Sequence, residues 1–96
     1  MLTWVIYDIT KDKLRTHAAK ACQRIGLYRV QKSVFLGELA VNEQDELAVQ
    51  LADCIEADHD SVYIFPMCRD DFGKIHLLGQ AFDESLVCDE VRSFFI

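Results

Sequence analysis

An aspartate ends a strongly apolar segment near the start of the chain. Asp8 follows Trp4-Val-Ile-Tyr, so a carboxylate closes a run that is otherwise hydrophobic. A carboxylate in this place either caps a strand and its turn or serves as an oxygen ligand for a hard cation such as Mg²⁺. One aspartate per chain is few for a magnesium site, but a two-fold dimer would duplicate it. Phosphodiester hydrolysis uses such an ion to activate water and to stabilise developing charge.

The basic residues are the second group that could do chemistry, because they are concentrated in the first third of the sequence. Residues 1–32 hold seven Lys and Arg against two Asp, a net charge of +5, whereas residues 33–96 hold three against fourteen acids, a net charge of −11. The seven cations are Lys11, Lys13, Arg15, Lys20, Arg24, Arg29 and Lys32. Such a segment predicts sequence-independent binding to phosphates. The alternative is a basic helix face that only offsets an acidic face of the same protein.

The hydrophobic periodicity predicts the elements that must position these residues. In chain order they are a strand over 2–9, a helix over 11–25, a period-two stretch over 28–40, a helix from residue 42, a strand over 61–67, a turn over 69–73, and strands over 74–78 and 91–96. Thr10 is the predicted N-cap of the first helix and Asn42 that of the second. The stretch 28–40 fits either one bent strand or a hairpin that turns near residues 32–33. This order predicts an α+β fold with two helices on one face of an antiparallel sheet.

Length and composition bound the class of protein. The 96 residues fit one domain with a modest core, so dimerisation is expected, and 51% hydrophobic residues exclude a disordered tail. No apolar run approaches the ~18 residues of a membrane span, and Asp8 interrupts the segment where a signal peptide would stay apolar. We therefore expect a cytoplasmic protein that does not contact a membrane.

The cysteines and histidines show no metal-ligand spacing. Cysteines stand at positions 22, 54, 68 and 88, and histidines at 17, 59 and 76, without a C-x-x-C pair or a finger pattern. We interpret the thiols as reduced and mostly buried. A zinc site is not expected.

The C-terminal segment Arg92-Ser-Phe-Phe-Ile is too apolar to leave in water without cost. It can add to the sheet edge of a partner subunit, which would satisfy its backbone groups and bury its aromatic side chains. It can equally cover its own sheet. The residues by themselves leave both arrangements open.

Four segments together resemble one known family. They are Tyr7-Asp8-Ile9, Leu14-Arg15, Gly-Leu-Tyr-Arg-Val-Gln-Lys-Ser-Val-Phe-Leu-Gly-Glu at 26–38, and Ser-Val-Tyr-Ile-Phe-Pro-Met at 61–67. In this order and at this chain length they look like the CRISPR-associated Cas-two family. The resemblance covers residues 2 to about 80, and its most specific part is Arg-Val-Gln-x-Ser-Val-Phe.

The resemblance implies a ferredoxin-like βαββαβ sandwich over residues 1–85, with residues 86–96 as an extra strand exchanged onto the partner of a homodimer. It implies a metal-dependent endonuclease, using Mg²⁺ or alternatively Mn²⁺, that acts on single-stranded RNA or duplex DNA. In CRISPR adaptation the dimer would bridge integrase (Cas-one type) dimers and hold spacer DNA. The alternative is a non-catalytic adaptor that binds duplex DNA. A small-molecule regulator with this fold leaves the basic helix unexplained.

The family positions carry over to named residues of this sequence. Asp8 would be the metal ligand and a catalytic residue, with Tyr7 beside it. The residues implied to contact phosphate or to line the site are Arg15, Arg29, Ser33 and Phe35. The charge pattern adds Lys13, Lys20, Arg24 and Lys32 as nucleic-acid contacts. Where some members have a second arginine, this chain has His17, which lowers the local positive charge.

Overall fold

A four-stranded antiparallel sheet forms the centre of the protein. The computed structural model describes residues 1–81, 83, 86–87 and 91. Its elements are β1 (Leu2–Asp8), α1 (Asp12–Arg24), β2 (Tyr28–Gln31), β3 (Val34–Glu38), α2 (Val41–Ala52), β4 (Ser61–Met67) and α3 (Arg69–Phe72). The strand order is β2-β3-β1-β4, and all three pairings are antiparallel. The predicted ferredoxin-like α+β fold is confirmed, and residues 28–40 form the hairpin.

Strand β1 lies inside the sheet and contributes to the core on both faces. Val5 and Tyr7 belong to the cluster that packs under the helices, whereas Leu2 and Trp4 belong to a second cluster on the opposite face. Successive side chains of a strand point to opposite faces. Asp8 therefore lies on the face of Leu2 and Trp4, away from the helices.

Helices α1 and α2 cover the first face. Their buried residues, which meet the sheet around Val5 and Phe35, are Ala18, Ala19, Ala21, Cys22, Leu47 and Leu51. Helix α1 ends before Gly26, whose φ of +102° belongs to the left-handed region that glycine tolerates. The helix predicted over 11–25 is confirmed and is one residue shorter at each end. Among the described residues, no helix is long and apolar enough to cross a bilayer.

The opposite face of the sheet is covered only in part. Phe72, Val87 and Val91 pack against Trp4 and Leu36. The part of this face formed by β1 and β4 stays open. We call it the open sheet face and define it as Ile6, Tyr63 and Phe65, the last two being 59% and 36% exposed. Asp8 lies on the same face at the end of β1.

Several predicted boundaries were wrong. Residues 69–73 hold the short helix α3, and residues 74–78 form no strand, although Ile75 packs onto the covered part of the sheet face. The N-cap of α2 is Ala40, two residues before the predicted Asn42, and its N–H is accepted by the Glu43 carboxylate at 2.8 Å.

The predicted state of the thiols is largely confirmed. Cys22 and Cys54 are free and buried, and burial, reinforced by the nearby Cys54, raises the pKa of Cys22 to about 12. Cys68 is also free, but it is exposed because its sulfur accepts the N–H of Asp71 at the start of α3. Cys88 and most of the predicted strand 91–96 lie outside the described residues, and the exchange of residues 86–96 stays a prediction.

Asp60 joins the end of β1 to the connection between α2 and β4. Its carboxylate, 1% exposed, accepts the N–H of Thr10 at 3.0 Å and the N–H of Glu56 at 2.8 Å. The N-cap of α1 is Lys11, which makes no side-chain cap, so the prediction of Thr10 as the N-cap was wrong. The hydrogen bonds from Glu56 and Thr10 hold the pKa of Asp60 below its ordinary value.

We expect Asp60→Asn to lower the Tm at neutral pH, because an amide accepts at one atom only and loses the charge-assisted bonds. A lowered carboxyl pKa stabilises the fold above the ordinary Asp value and loses this effect as pH falls through the lowered pKa. The difference in Tm between wild type and variant should therefore be full at pH 6–7, an interval well above ~3.9, and shrink in stronger acid. Asp58→Asn, an exposed acid in the same turn, is the control and should leave the Tm unchanged. Equal effects of both substitutions would contradict the role of Asp60.

Candidate nucleic-acid interface and metal ligand

A cleft of about 720 Å³ opens beside the β2–β3 hairpin and the first turns of α1. Its lining residues are Tyr7, Asp12, Arg15, Thr16, Arg29, Lys32, Ser33, Asp83 and Leu86. Five of these are predicted site residues that stand far apart in the sequence. The fold brings them together because β1, α1 and the hairpin meet at this end of the sheet.

Arg29 is held rigidly at the cleft. Its Nε and Nη2 donate to the carbonyl oxygen of Lys32 at 3.1 and 2.8 Å, and its guanidinium carbon lies 5.3 Å from the centre of the Phe35 ring. The Tyr7 hydroxyl donates to the same carbonyl at 3.3 Å. Phe35, predicted to line the site, is fully buried and instead supports Arg29 from below by a cation–π contact. Arg29 thus presents positive charge in a fixed place.

The guanidinium of Arg15 is bound to groups in the connection between β1 and α1. Its Nη1 donates to the carbonyl oxygens of Ile9 and Thr10, both at 3.1 Å, and its Nη2 pairs with Asp12. These bonds brace the connection from β1 to α1. Since Asp12 also lines the cleft and offsets this charge, Arg29 and Lys32 supply most of the positive potential there.

Tyr7 is suited to donate a hydrogen bond and unsuited to accept a proton at neutral pH. Burial raises its pKa, and the neighbouring charge and hydrogen bond of Arg29 oppose this rise. The phenol therefore stays protonated throughout the physiological range. Its hydroxyl helps to fix the Lys32 carbonyl that also holds Arg29.

Asp8 is separate from this cleft. It is exposed, it does not line the cleft, and its carboxylate makes no hydrogen bond or ion pair within the part of the chain that the structure describes. Its neighbour across the strands is Ser61. A free carboxylate suits a hard cation such as Mg²⁺, but a single carboxylate supplies too few ligands, so a second copy of the chain would have to complete the donor set.

A second group of possible ligands lies in the turn before β4. Glu56, Asp58 and His59 each place one ligand atom within 4.8 Å of the others. The imidazole nitrogens lie 3.0 Å from Glu56 and 3.1 Å from Asp58, and Lys11 pairs with Glu56. This group was missed at the level of the sequence, because only the spacing of the histidines was considered there. The acidic run from Glu56 to Asp60, which contains all three residues, was the available signal. Lys11 and the imidazole of His59 already occupy these carboxylates without an ion.

The remaining predicted cations lie on another surface. Lys20 and Arg24 line a groove of about 260 Å³ between α1 and α2, together with His17, Ala21, Gln50, Asp53 and Cys54. Lys13 is exposed on the same helix. The single basic face expected from the sequence is thus divided into the cleft and this groove.

Comparison with known proteins assigns the chain to a family. The sequence profile described as CRISPR associated protein Cas2 matches residues 1–75. The chain belongs to the Cas2 family. A CRISPR-associated endoribonuclease Cas2 of Archaeoglobus fulgidus is 42% identical over 69 residues, which cover 72% of this chain and 73% of that protein. The resemblance of the four segments to the Cas-two family is confirmed.

Two further Cas2 proteins are similar to this chain, one in its structure and one in its sequence. The crystal structure of Streptococcus pyogenes Cas2 superposes with a TM-score of 0.67 at 27% identity and covers 82% of this chain and 100% of its own. A Cas1/Cas2 endonuclease fusion of Thermoproteus tenax is 34% identical over 65 residues, which cover 68% of this chain and 25% of the fusion. In that protein a Cas2 unit is joined covalently to Cas1.

The raised pKa of Tyr7 can be measured by the ultraviolet absorbance of tyrosinate. We expect the titration step that Tyr7→Phe removes to lie above pH ~10, the ordinary tyrosine value. In Arg29→Gln this step should move to still higher pH, because the nearby positive charge that favours the phenolate is gone. Lys20→Gln, on the other side of α1, is the control and should leave the step in place. A step at or below pH 10 would contradict the description of Tyr7 as a buried donor.

Proposed function

We propose that this chain is a homodimeric, metal-dependent endonuclease of CRISPR adaptation that acts in the cytoplasm. The observation that carries the proposal is the exposed carboxylate of Asp8 beside the open sheet face, which has no partner among the residues that the structure describes. Free buried thiols at Cys22 and Cys54 agree with a reducing compartment. The name of the A. fulgidus relative, an endoribonuclease, supports nuclease activity.

The open sheet face supports the homodimer. Ile6, Tyr63 and Phe65 place large apolar side chains side by side on a face that is covered elsewhere. A second copy related by a two-fold axis would cover the same residues on both chains. Since Asp8 lies on this face at the end of β1, such packing would bring two Asp8 carboxylates towards the axis. Residues 86–96 would add to the partner's sheet and enlarge the interface, in place of the contacts that Val87 and Val91 make with their own sheet.

Each residue then has a defined task. The two Asp8 carboxylates would hold Mg²⁺, or alternatively Mn²⁺, and the ion supplies water activation and charge stabilisation at a phosphodiester. Arg29 and Lys32 would bind phosphate oxygens, and Ser33 offers a hydroxyl at the same cleft. Tyr7 would orient Arg29 through the shared Lys32 carbonyl. With a raised pKa, Tyr7 is not the base that removes a proton from water.

The substrate class follows from phosphate contacts that do not distinguish bases. Single-stranded RNA and duplex DNA both present the required backbone, and the relative's name favours RNA. The T. tenax fusion supports an integrase of the Cas1 type as partner, because fused units are held in one assembly. In that assembly the dimer would bridge integrase subunits and hold spacer DNA.

A second candidate function is a non-catalytic adaptor that grips duplex DNA. It is favoured by the position of Asp8, which lies on the sheet face opposite the helices and outside the cleft that holds Arg29 and Lys32. In this function Asp8 would be only an interface acid. Binding and cleavage measured on the same variants separate the two functions.

We expect Asp8→Asn to reduce Mg²⁺-dependent cleavage by roughly 100-fold or more, because lost metal activation removes several kcal/mol of transition-state stabilisation. Dimerisation and nucleic-acid affinity should stay nearly unchanged, since the binding cations lie elsewhere. The assay compares both proteins on RNA and on duplex DNA with Mg²⁺, with Mn²⁺ and with chelator. Asp45→Asn, which neutralises an exposed acid on α2, is the matched control.

Equal cleavage by wild type and Asp8→Asn would reject the nuclease assignment to this carboxylate. Absence of cleavage by both proteins, with intact duplex binding, would leave the adaptor function in its place. Loss of cleavage in Asp45→Asn as well would indicate that charge alone, and not the position of Asp8, is responsible.

The dimer can be tested through the open sheet face. We expect Tyr63→Lys to weaken dimerisation roughly tenfold or more, because burial of a large apolar side chain contributes about 1.5–3 kcal/mol. Val49→Lys, an equally exposed apolar residue on α2, should leave the dimer intact. A chain truncated after Leu86 should also dimerise more weakly. Light scattering over a dilution series is the measurement, and dimers of unchanged affinity in both altered proteins would contradict the interface.

A further inference from the structure

The cations of α1 that point away from the sheet form a straight row. Lys13, Lys20 and Arg24 are exposed and follow one another at intervals of seven and four residues. At 100° per residue they fall within about 40° of the helix circumference, on the side opposite to the buried Ala18 and Cys22. At 1.5 Å per residue they span about 16 Å. We call these three residues the α1 row.

Helix α2 presents an acidic row in the same direction. Asp45, Val49 and Asp53 recur at every fourth residue, are exposed, and lie opposite to the buried Leu47 and Leu51. By the same helical geometry they fall within about 80° of the circumference and span about 12 Å. Val49, which is 68% exposed, is the apolar side chain at the centre. We call these three residues the α2 row.

Neither row is neutralised by its own chain. The charged members of both rows make no ion pair within the described part of the chain. Residues 33–68, which contain all of α2, hold eight acids and no Lys or Arg. Two neighbouring helices therefore present opposite, unpaired charges to solvent.

The positions of the two rows make this surface complementary to itself. Both helices cover the same face of the sheet, with a groove between them that Arg24 and Asp53 border. The rows therefore lie side by side on the outer surface of α1 and α2, which we call the helix layer. A second copy turned by a two-fold axis along the groove would set each α1 row against the α2 row of the other copy. A two-fold contact requires this kind of self-complementarity.

We propose that the helix layer is a contact surface for a second copy of this chain, with the α1 row of each copy on the α2 row of the other. Two helices of 13 and 12 residues form a layer of about 20 by 20 Å, so the contact would bury about 800 Å² in total. Stable interfaces bury at least ~1,200 Å². The association is therefore weak and reversible.

This contact differs from the pairing through the open sheet face, because the helices lie on the other side of the sheet. Tyr63→Lys should therefore leave it intact and change only the species that associates, from a pair of chains to a single chain. Failure of the proposed sheet-face dimer would have the same consequence. The two proposals can thus fail separately.

Salt separates the contact from general repulsion between copies. Chains of net charge −6 repel one another, and added salt weakens this repulsion. Pairing of the rows predicts the opposite trend for the full-length protein freed of nucleic acid. Its association should weaken as salt rises from about 0.1 to 1 M, because the Debye length falls from ~10 to ~3 Å. Light scattering and sedimentation velocity over a dilution series are the measurements.

Charge reversal tests the pairing itself. Lys20→Glu with Arg24→Glu makes the helix layer acidic throughout, and Asp45→Lys with Asp53→Lys makes it basic throughout. Each protein alone should associate on the order of tenfold more weakly than wild type, because like charges meet. An equimolar mixture of the two should recover the association, since every α1 row then meets an α2 row of opposite charge. Recovery excludes damage to the fold as the cause of the loss.

The single variant Lys20→Glu has Lys74→Glu as its matched control, since Lys74 is exposed outside both helices. Unchanged association in Lys20→Glu, an equal loss in the control, or a mixture that fails to recover would overturn the proposal. Association that strengthens with salt, or that requires added duplex DNA to bridge the copies, would also overturn it. So would the absence of any association of wild type through the helix layer up to about 1 mM.

Discussion

The alternation of side chains along β1 determines where the candidate functional groups lie. The strand is paired on both edges, to β3 and to β4, and contributes to a hydrophobic cluster on each face. Its register cannot slip by one residue without moving Val5 and Trp4 to the wrong faces. The side chains of the two adjacent residues at its end, Tyr7 and Asp8, therefore lie on opposite sides of the sheet. Tyr7 joins the cleft under the helices, and Asp8 joins the open face.

This separation gives the two halves of the proposed function different structural bases. The proposed phosphate binding would depend on one chain, because the Arg29 guanidinium is held by the Lys32 carbonyl and the Phe35 ring of the same hairpin. The proposed metal binding at Asp8 would depend on two chains, because a single carboxylate is a poor site for Mg²⁺. A protein built in this way would keep its affinity for nucleic acid while its cleavage rate varied with the geometry of the dimer interface.

Charge in this protein is organised locally. The net charge of −6 would repel a polyanion, yet the free cations are grouped on α1 and at the hairpin, and the acids collect around α2 and the turn before β4. Several acids have tasks within the fold, as Asp60 does when it binds the backbone of Thr10 and Glu56. The field of such a charged patch acts over one Debye length, ~8–10 Å, so the sign of the charge in each patch decides which ligands that surface attracts.

The sequence by itself determined the order of β1, α1, α2 and β4, the position of Asp8 at a strand end and, through four segments, the family. These features depend on periodicity and on near neighbours, which a linear pattern records. The tertiary structure alone decided the rest. It resolved residues 28–40 as a hairpin, and it joined the carboxylate of Asp60 to the N–H of Thr10, fifty residues away. Ile75 packs onto the sheet face, where a strand over 74–78 had been predicted. Phe35 is buried beneath Arg29, and the basic residues are divided between two sides of α1. Each of these outcomes depends on which distant groups meet in space, and hydrogen bonding and burial between distant groups leave no periodic signal in the chain.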